Sequence, residues 1–214
     1  MTTALLQTTY FGPIQWYQKL YRYDHCMIEQ YDSFQKQTYR NRCVIATANG
    51  VQALTVPVEH TNLSPLTSHL SPLVKDLRIS DHNQWRRVHW NALQSAYSES
   101  PFFEYYADDL HPFFEQKYDF LVDFNEAIRQ KVCELIDIHP NVEYTTKYQP
   151  SALNPQPSTL TDFRDVINAK HPQPDEGFTP KEYWQVFQHK HGFLPNLSIL
   201  DLLFNMGPES VFFL

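Results

Sequence analysis

The spacing of apolar positions changes period several times along the chain, and each change marks an element. Residues 3–11 form a short extended run that stops at Gly12-Pro13. Proline suits the first turn of a helix, so a helix is predicted over 13–23, with Ile14, Tyr17, Leu20 and Tyr21 at helical spacing. Residues 25–29, with Cys-Met-Ile at their centre, have the short apolar form of a buried strand. Two β-rich runs, 42–48 and 51–58, flank Asn49-Gly50, a pair that supplies the two positive φ angles of a type I′ turn. Such a turn sets Ala48 opposite Val51, Ile45 opposite Leu54 and Cys43 opposite Val56. One hairpin face then carries Cys43, Ile45, Leu54 and Val56 as core, while Arg40 and Arg42 share the other. Pro57 ends the second strand, because proline cannot donate to a ladder.

Further along, residues 60–73 are rich in Ser, Thr and Pro and read as a loop, followed by a strand at 74–79. A helix is predicted over 85–97, its apolar face made by Trp85, Val88, Ala92, Leu93 and Ala96, with His89 on the same face. Pro112 opens a longer helix to 138, where Phe114, Tyr118, Leu121, Asn125, Ile128, Val132 and Leu135 form a seam with one polar member. Residues 141–147 suit a strand. A Pro-rich irregular segment, 149–179, holds a short helix at 162–169, and two tail helices, 180–191 and 198–206, close at Gly192 and Gly207. Helices alternate with strands, so the expected fold is α/β: a single domain over 1–214 with a small mixed sheet including the β-hairpin, packed by several helices.

Composition narrows the function. Among 214 residues only five are Gly, none close to another, so a glycine-clustered phosphate loop is excluded. Three scattered cysteines make no CxxC pair, and their odd number without a leader peptide reads as free thiols in a reducing, cytoplasmic setting. No apolar run is long enough for a transmembrane segment. The net charge of −7, with no dense Lys/Arg block, gives little support for nucleic-acid binding. Ten histidines invite a metal, but His189 and His191 would point to opposite sides of a helix, so no metal site is expected; a cofactor is not identifiable.

Three groups of residues have the chemistry for a site. Lys36, Arg40 and Arg42, with Tyr39 and Asn41 between them, are suited to a phosphate or carboxylate, since guanidinium forks match two oxygens; they equally suit an edge strand that deters aggregation. His89, desolvated on an apolar face, would be neutral near pH 7 and able to act as a base, with Trp85 and Trp90 offering flat walls to a sugar or base ring. It equally suits a core histidine satisfied by a carbonyl. In the tail, Asn196 or Ser198 can cap a helix whose Ser198, Asp201 and Asn205 form a polar stripe, facing either a ligand or water.

These same residues carry a resemblance. Tyr39-Arg-Asn-Arg42, Leu54-Thr-Val-Pro-Val58, Trp85 with His89-Trp90, Ala96-Tyr97, and Gly192-Phe with the run from Pro195 to Asn205 together resemble the WbqC-like family. The resemblance runs in order from about residue 4 to 208. The family is bacterial and named for a gene in O-antigen loci. The resemblance implies a cytoplasmic transferase of cell-surface polysaccharide (lipopolysaccharide) biosynthesis, acting on a small molecule such as a nucleotide sugar or sugar phosphate. Arg40 and Arg42 would clamp its anion, Asn41 would orient it, Trp90 would stack on its ring, and His89 or Asp201 would be catalytic. The chain departs from longer relatives in having Leu6-Gln7-Thr8 in place of His-Gln-Pro, and in its short stretch between Gln149 and Pro180. The rival expectation is a non-catalytic binding or scaffold protein. The two separate on position: the enzyme reading expects the hairpin cations, His89 and Asp201 to converge.

Overall fold

A computed structural model describes residues 1–59, 71–150 and 159–214. The predicted loop at 60–73 falls mostly outside these residues. Twelve regular elements follow one another in the described chain: β1 (Thr3–Gln7), α1 (Ile14–Arg22), β2 (His25–Glu29), β3 (Arg42–Thr47), β4 (Gly50–Thr55), α2 (Trp85–Tyr97), α3 (Phe103–Leu110), α4 (Leu121–Leu135), β5 (Val142–Tyr144), β6 (Leu160–Asp162), α5 (Gln188–His191) and α6 (Ile199–Met206).

The architecture is α/β, as the alternation of periods implies. Four strands make a sheet in the order β5-β2-β1-β6, and every pairing in it is parallel. The hairpin β3–β4 forms a separate antiparallel ribbon rather than joining that sheet. From β1 the chain moves to β2 and then β5 on one side, and later returns to place β6 on the other side of β1. Side chains at the carboxyl ends of β1 and β6 therefore meet where the direction of winding reverses, the place where open parallel sheets hold ligands.

A single cluster of buried apolar side chains joins the sheet, the hairpin and the helices. On the hairpin, Cys43, Ile45, Leu54 and Val56 are all buried, as expected. Their register differs: Cys43 pairs with Leu54 and Thr47 with Gly50, a shift of two that leaves the buried face unchanged. The reason is the turn. Ala48 and Asn49 are its central residues, and only Gly50 takes a positive φ, 103°. The Thr47 hydroxyl donates to the Gly50 carbonyl at 2.8 Å and accepts the Asn49 N–H at 3.3 Å, fixing this turn without a type I′ geometry.

Four other predicted elements are corrected. Residues 74–79 are not a strand: Val74–Asp76 is a 3₁₀ turn, and Arg78 and Ile79 make isolated bridges to Phe120 and Val58. Those contacts also divide the long helix predicted from Pro112. Leu121 N–H donates to Leu77 O and Ile79 N–H to Asp119 O, both at 2.9 Å, so α4 starts only after residue 120. Residues 162–169 form no helix: β6 runs through Asp162, and only a single turn follows, with the Ile167 N–H donating to Phe163 O at 2.9 Å. Of 180–191, only α5 is helical, since Tyr183 and Gln185 turn inward to Asp201. On α2 the predicted face holds except for Val88, which is exposed. The α4 seam, by contrast, buries Leu121, Asn125, Ile128 and Val132.

Candidate functional site

The carboxyl ends of the parallel strands carry Gln7 on β1, Glu29 on β2, Thr145 just after β5 and Asp162 on β6. Beyond them the chain runs straight into more polar residues: Thr8 and Thr9 after β1, Asp32 after β2, Arg164 after β6. Most of these side chains are buried. Glu29, fully buried, accepts the Tyr31 N–H at 2.7 Å, the Thr145 hydroxyl at 2.8 Å and the Gln149 N–H at 2.8 Å. Asp32 bridges two guanidinium groups, receiving Arg40 Nη2 at 2.9 Å and Arg164 Nη1 at 3.1 Å. Arg164 also grips Asp162 through Nη2 at 2.7 Å and Nε at 3.0 Å, and lies 3.5 Å from Glu29.

Electrostatics follow from this packing. Burial opposes the charge on Arg164, but the bonds to Asp162 and the neighbouring carboxylates outweigh it and hold the guanidinium firmly protonated. Burial lowers the pKa of Arg40, with Asp32 opposing. Two cations thus face three carboxylates, Glu29, Asp32 and Asp162.

Next to this cluster, the Tyr10 N–H donates to Tyr39 O at 2.9 Å, laying the 39–41 segment along the extended chain that leaves β1. Asn125 of α4 ties the two together, donating to Thr8 Oγ1 at 3.1 Å and Arg40 O at 2.8 Å. Around this junction five buried polar atoms have no hydrogen-bond partner among the described residues: Gln7 Oε1, Thr9 Oγ1, Arg40 Nε, Asn41 Oδ1 and Asn125 Oδ1. Each such atom costs roughly 1–3 kcal/mol unless something completes it. The loop is also strained. Phe11 has φ of 40°, unusual for a bulky side chain, and is held there because its carbonyl accepts the Ser198 hydroxyl at 2.7 Å.

The sequence-derived candidates are dispersed among different partners. Arg40 is not on an exposed hairpin face: it lies before β3, turns inward and is buried against Asp32. Arg42 stays half-buried and donates to Thr55 Oγ1 at 3.1 Å, and Lys36 is exposed. Asn41 donates to Val56 O at 2.8 Å, and Tyr39, half-buried, contributes its carbonyl. His89 is buried with Nδ1 2.9 Å from the Tyr10 hydroxyl, and also bonds the backbone of Thr55; desolvation lowers its pKa to about 4. Trp85 is buried beside it, donating to Ser80 O at 3.0 Å, whereas Trp90 packs against Phe103, His111 and Phe114.

The tail stripe does not face water. Asp201 is buried and accepts Tyr183 OH at 2.6 Å, Tyr97 OH at 2.8 Å and Gln185 Nε2 at 3.0 Å. Burial raises its pKa, with those donors opposing. Asn205 donates to Asp201 O at 2.7 Å. Ser198 caps α6 as expected, but that end is buried against the β1–α1 loop rather than open to an anion. Asn196 accepts the Gln15 N–H at 2.9 Å, so it occupies the first turn of α1.

Thus three hydrogen-bonded groups exist where the sequence suggested one: Arg40 with the strand ends, His89 with Tyr10, and Asp201 with Tyr97 and Tyr183. The strand-end residues Gln7, Thr9, Glu29, Asp32 and Arg164 were missed by sequence reasoning. A signal was present, since Gln7-Thr-Thr9 and Glu29 terminate apolar strands, and Asn125 interrupts an apolar seam.

A model of the WbqC-like protein family matches residues 7–172. The chain belongs to the WbqC-like protein family. The strand-end network lies wholly inside the matched stretch, while Tyr183, Gln185 and Asp201 lie outside it. Among curated proteins, a relative in sequence is the uncharacterized protein Rv1507c of Mycobacterium tuberculosis, 25% identical over 97% of this chain and 94% of its own length. No solved structure matches. No helix among the described residues is long and apolar enough to cross a membrane.

Proposed function

We propose that this chain is a small-molecule transferase of bacterial surface-polysaccharide biosynthesis, with its substrate at the carboxyl edge of the parallel sheet. The observation that carries the reading is the concentration of buried polar side chains at the ends of all four strands. A fold needs no such cluster for stability: replacing buried ion pairs by apolar residues is often neutral or stabilising. The cytoplasmic polysaccharide role and the transfer chemistry rest on the resemblance to the WbqC-like family.

In this reading the anion of a sugar phosphate or nucleotide sugar meets Arg42 and Lys36. Neither is ion-paired among the described residues, whereas Arg40 and Arg164 are already committed to carboxylates. Arg40 is a positioning residue. Among the described residues, His89 and Asp201 share no hydrogen bond with Arg40 or Arg42, so the convergence that the enzyme reading expected is not met. They brace the hairpin and α6 and carry no acid–base role, and the transferase reading rests on the strand-end cluster and the resemblance alone. A thermal-shift screen with nucleotide sugars and sugar phosphates tests this. Ligand at a hundredfold excess over Kd contributes about 2.7 kcal/mol, which raises the melting temperature of a chain this size by roughly 5–10 °C. The rise should shrink in Arg42→Ala/Lys36→Ala. Equal stabilisation of both proteins removes the anion-holding role, and stabilisation by none of the compounds removes the proposal.

A further inference from the structure

We infer that the outer edge of β4, with the face of α2 that flanks it, docks a second copy of this chain. This goes beyond the transferase reading and does not depend on it. The hairpin has one covered edge and one open edge. On β3, Val44 O accepts the Ser198 N–H at 2.8 Å, and the Ala46 N–H donates to the Tyr97 hydroxyl at 3.3 Å. The main-chain groups of Val44 and Ala46 therefore point away from β4. In the register Val44 pairs with Ala53 and Ala46 with Val51, so Ala53 and Val51 turn their own main-chain groups away from β3. Among the described residues, no hydrogen bond reaches these outward groups of β4.

The side chains around that edge lack the charges of a wet surface. Val51 is 60% exposed, and Gln52, Ala53 and Thr55 are exposed beside it. The helix α2 runs along the strand: His89 bonds the backbone of Thr55, and Ala92, Ser95 and Ala96 line a cavity of about 170 Å³ with Gln52 and the hairpin turn. Val88, one turn before Ala92, is 52% exposed although it belongs to the apolar face of α2. Residues 43–58 and 88–98 hold no Asp, Glu, Lys or Arg, in a chain with 17 Lys or Arg and 24 Asp or Glu. Open strand edges are ordinarily guarded by lysine, proline or a bulge, and exposed helix positions ordinarily take Lys and Glu. Here Arg42 lies on the covered strand β3, and Pro57 comes only after β4 has ended.

A second copy fits this chemistry. The chain carries a net charge of −7, so two copies approach best through uncharged surface, whereas a charged partner would find no counter-charge here. Antiparallel pairing of β4 with β4 of the second copy, about a two-fold axis at Gln52, engages the outward groups of Val51 and Ala53 and sets each opposite the other. Gln52 then meets its own copy, and an amide, donor and acceptor at once, is complementary to itself. The axis is perpendicular to the ribbon, so the two α2 helices lie on the same side of the continued sheet. Their Val88 and Ala92 positions come together there, over the cavity at Gln52.

Sedimentation equilibrium of the full chain, from about 1 µM to about 300 µM, should show reversible dimerisation in the range of small, transient interfaces. Val51→Lys, Val88→Asp and Ala53→Pro should each weaken it at least about tenfold. The first two replace exposed side chains and should melt within a few degrees of wild type, which separates lost docking from lost folding. The third removes an N–H that takes no part in the β3 ladder. A mixture of Val51→Lys and Ala53→Asp chains should dimerise where each alone does not, because the pairing sets position 51 opposite position 53. A wild-type chain that stays monomeric throughout the range overturns the inference. So does a dimer whose strength is unchanged in Val51→Lys, since the copies would then meet elsewhere. A mixture no more associated than its components overturns the antiparallel β4 pairing and the inference with it.

Discussion

Two buried polar networks of this chain, both built around carboxylates, differ in how many of their side-chain atoms are left without a partner among the described residues. At the hairpin and α6, Asp201 receives three donors from Tyr97, Tyr183 and Gln185, and its neighbour Asn205 leaves one oxygen unpartnered among the described residues. At the carboxyl edge of the sheet, Asp32, Glu29 and the two arginines are paired, yet five side-chain atoms beside them are not. A closed network fixes the arrangement of the elements it joins. An open one carries an uncompensated cost that a stable fold would avoid, unless a bound group offsets it. On the proposed reading, the difference assigns binding to the strand ends and a structural role to Asp201, the reverse of the roles suggested by the tail stripe in the sequence.

The largest effect that would break this comparison comes from Asp201→Ala. Removing the carboxylate strands two tyrosine hydroxyls and an amide in the interior, so chemical denaturation should show a loss of about 3–5 kcal/mol. Ligand affinity of the remaining folded protein should be unchanged. A variant of wild-type stability that no longer binds substrate would exchange the roles of the two regions.

His89 supplies the next test, with pH as the variable. Its folded pKa of about 4 lies below the ordinary value near 6.5, because burial disfavours the imidazolium. The unfolded chain therefore takes up the proton first, and stability falls as pH drops from about 6.5 to about 4. At roughly 1.4 kcal/mol per unit the full loss is about 3 kcal/mol. Asp175 and Glu126 have lowered pKa values, so their contribution is lost only below the ordinary carboxylate range. Asp201, whose pKa burial raises, acts in the opposite sense, so the His89 contribution between pH 6.5 and 5 is the difference between wild type and His89→Gln. In His89→Gln, which keeps one donor and one acceptor, stability should fall less steeply over that range; an unchanged fall would show that His89 does not stay neutral in the fold.

What could be read from the sequence was whatever depends on near neighbours. The helix start at Pro13, the hairpin's buried face, the Asn125 interruption and the Ser198 cap all follow from spacing within a few residues. The strand-end cluster does not. Arg164 reaches Asp32 across 132 residues, and Thr145 reaches Glu29 across 116, through parallel crossovers that leave no periodic trace. The same limit explains the arginines. Period two places Arg40 and Arg42 on one face, but Arg40 precedes the strand, and the pull of Asp32 decides its direction. Residues 119–121 behave similarly: their helical pattern yields to backbone bonds with 77–79, which no local preference announces.

The smallest stability effect, and the sharpest probe of the open region, is Gly12→Ala. A Cβ built on Gly12 would fall 2.5 Å from Thr9 Oγ1 and 2.9 Å from Thr9 Cβ, so the Thr9 side chain must move. Overpacking of this kind costs about 1–3 kcal/mol. Because the displaced atom is one of the five without a partner, the substitution should lower substrate affinity together with stability. Combining it with Thr9→Ala removes the closest contact, so the double variant should be more stable than the two single losses added together would give. Strict additivity would mean that the strain is absorbed elsewhere in the loop, around Phe11, and that Thr9 is not held in place by Gly12. In that case the hydroxyl could turn to a partner within the protein, and the contrast between a closed and an open network would lose one of its five members.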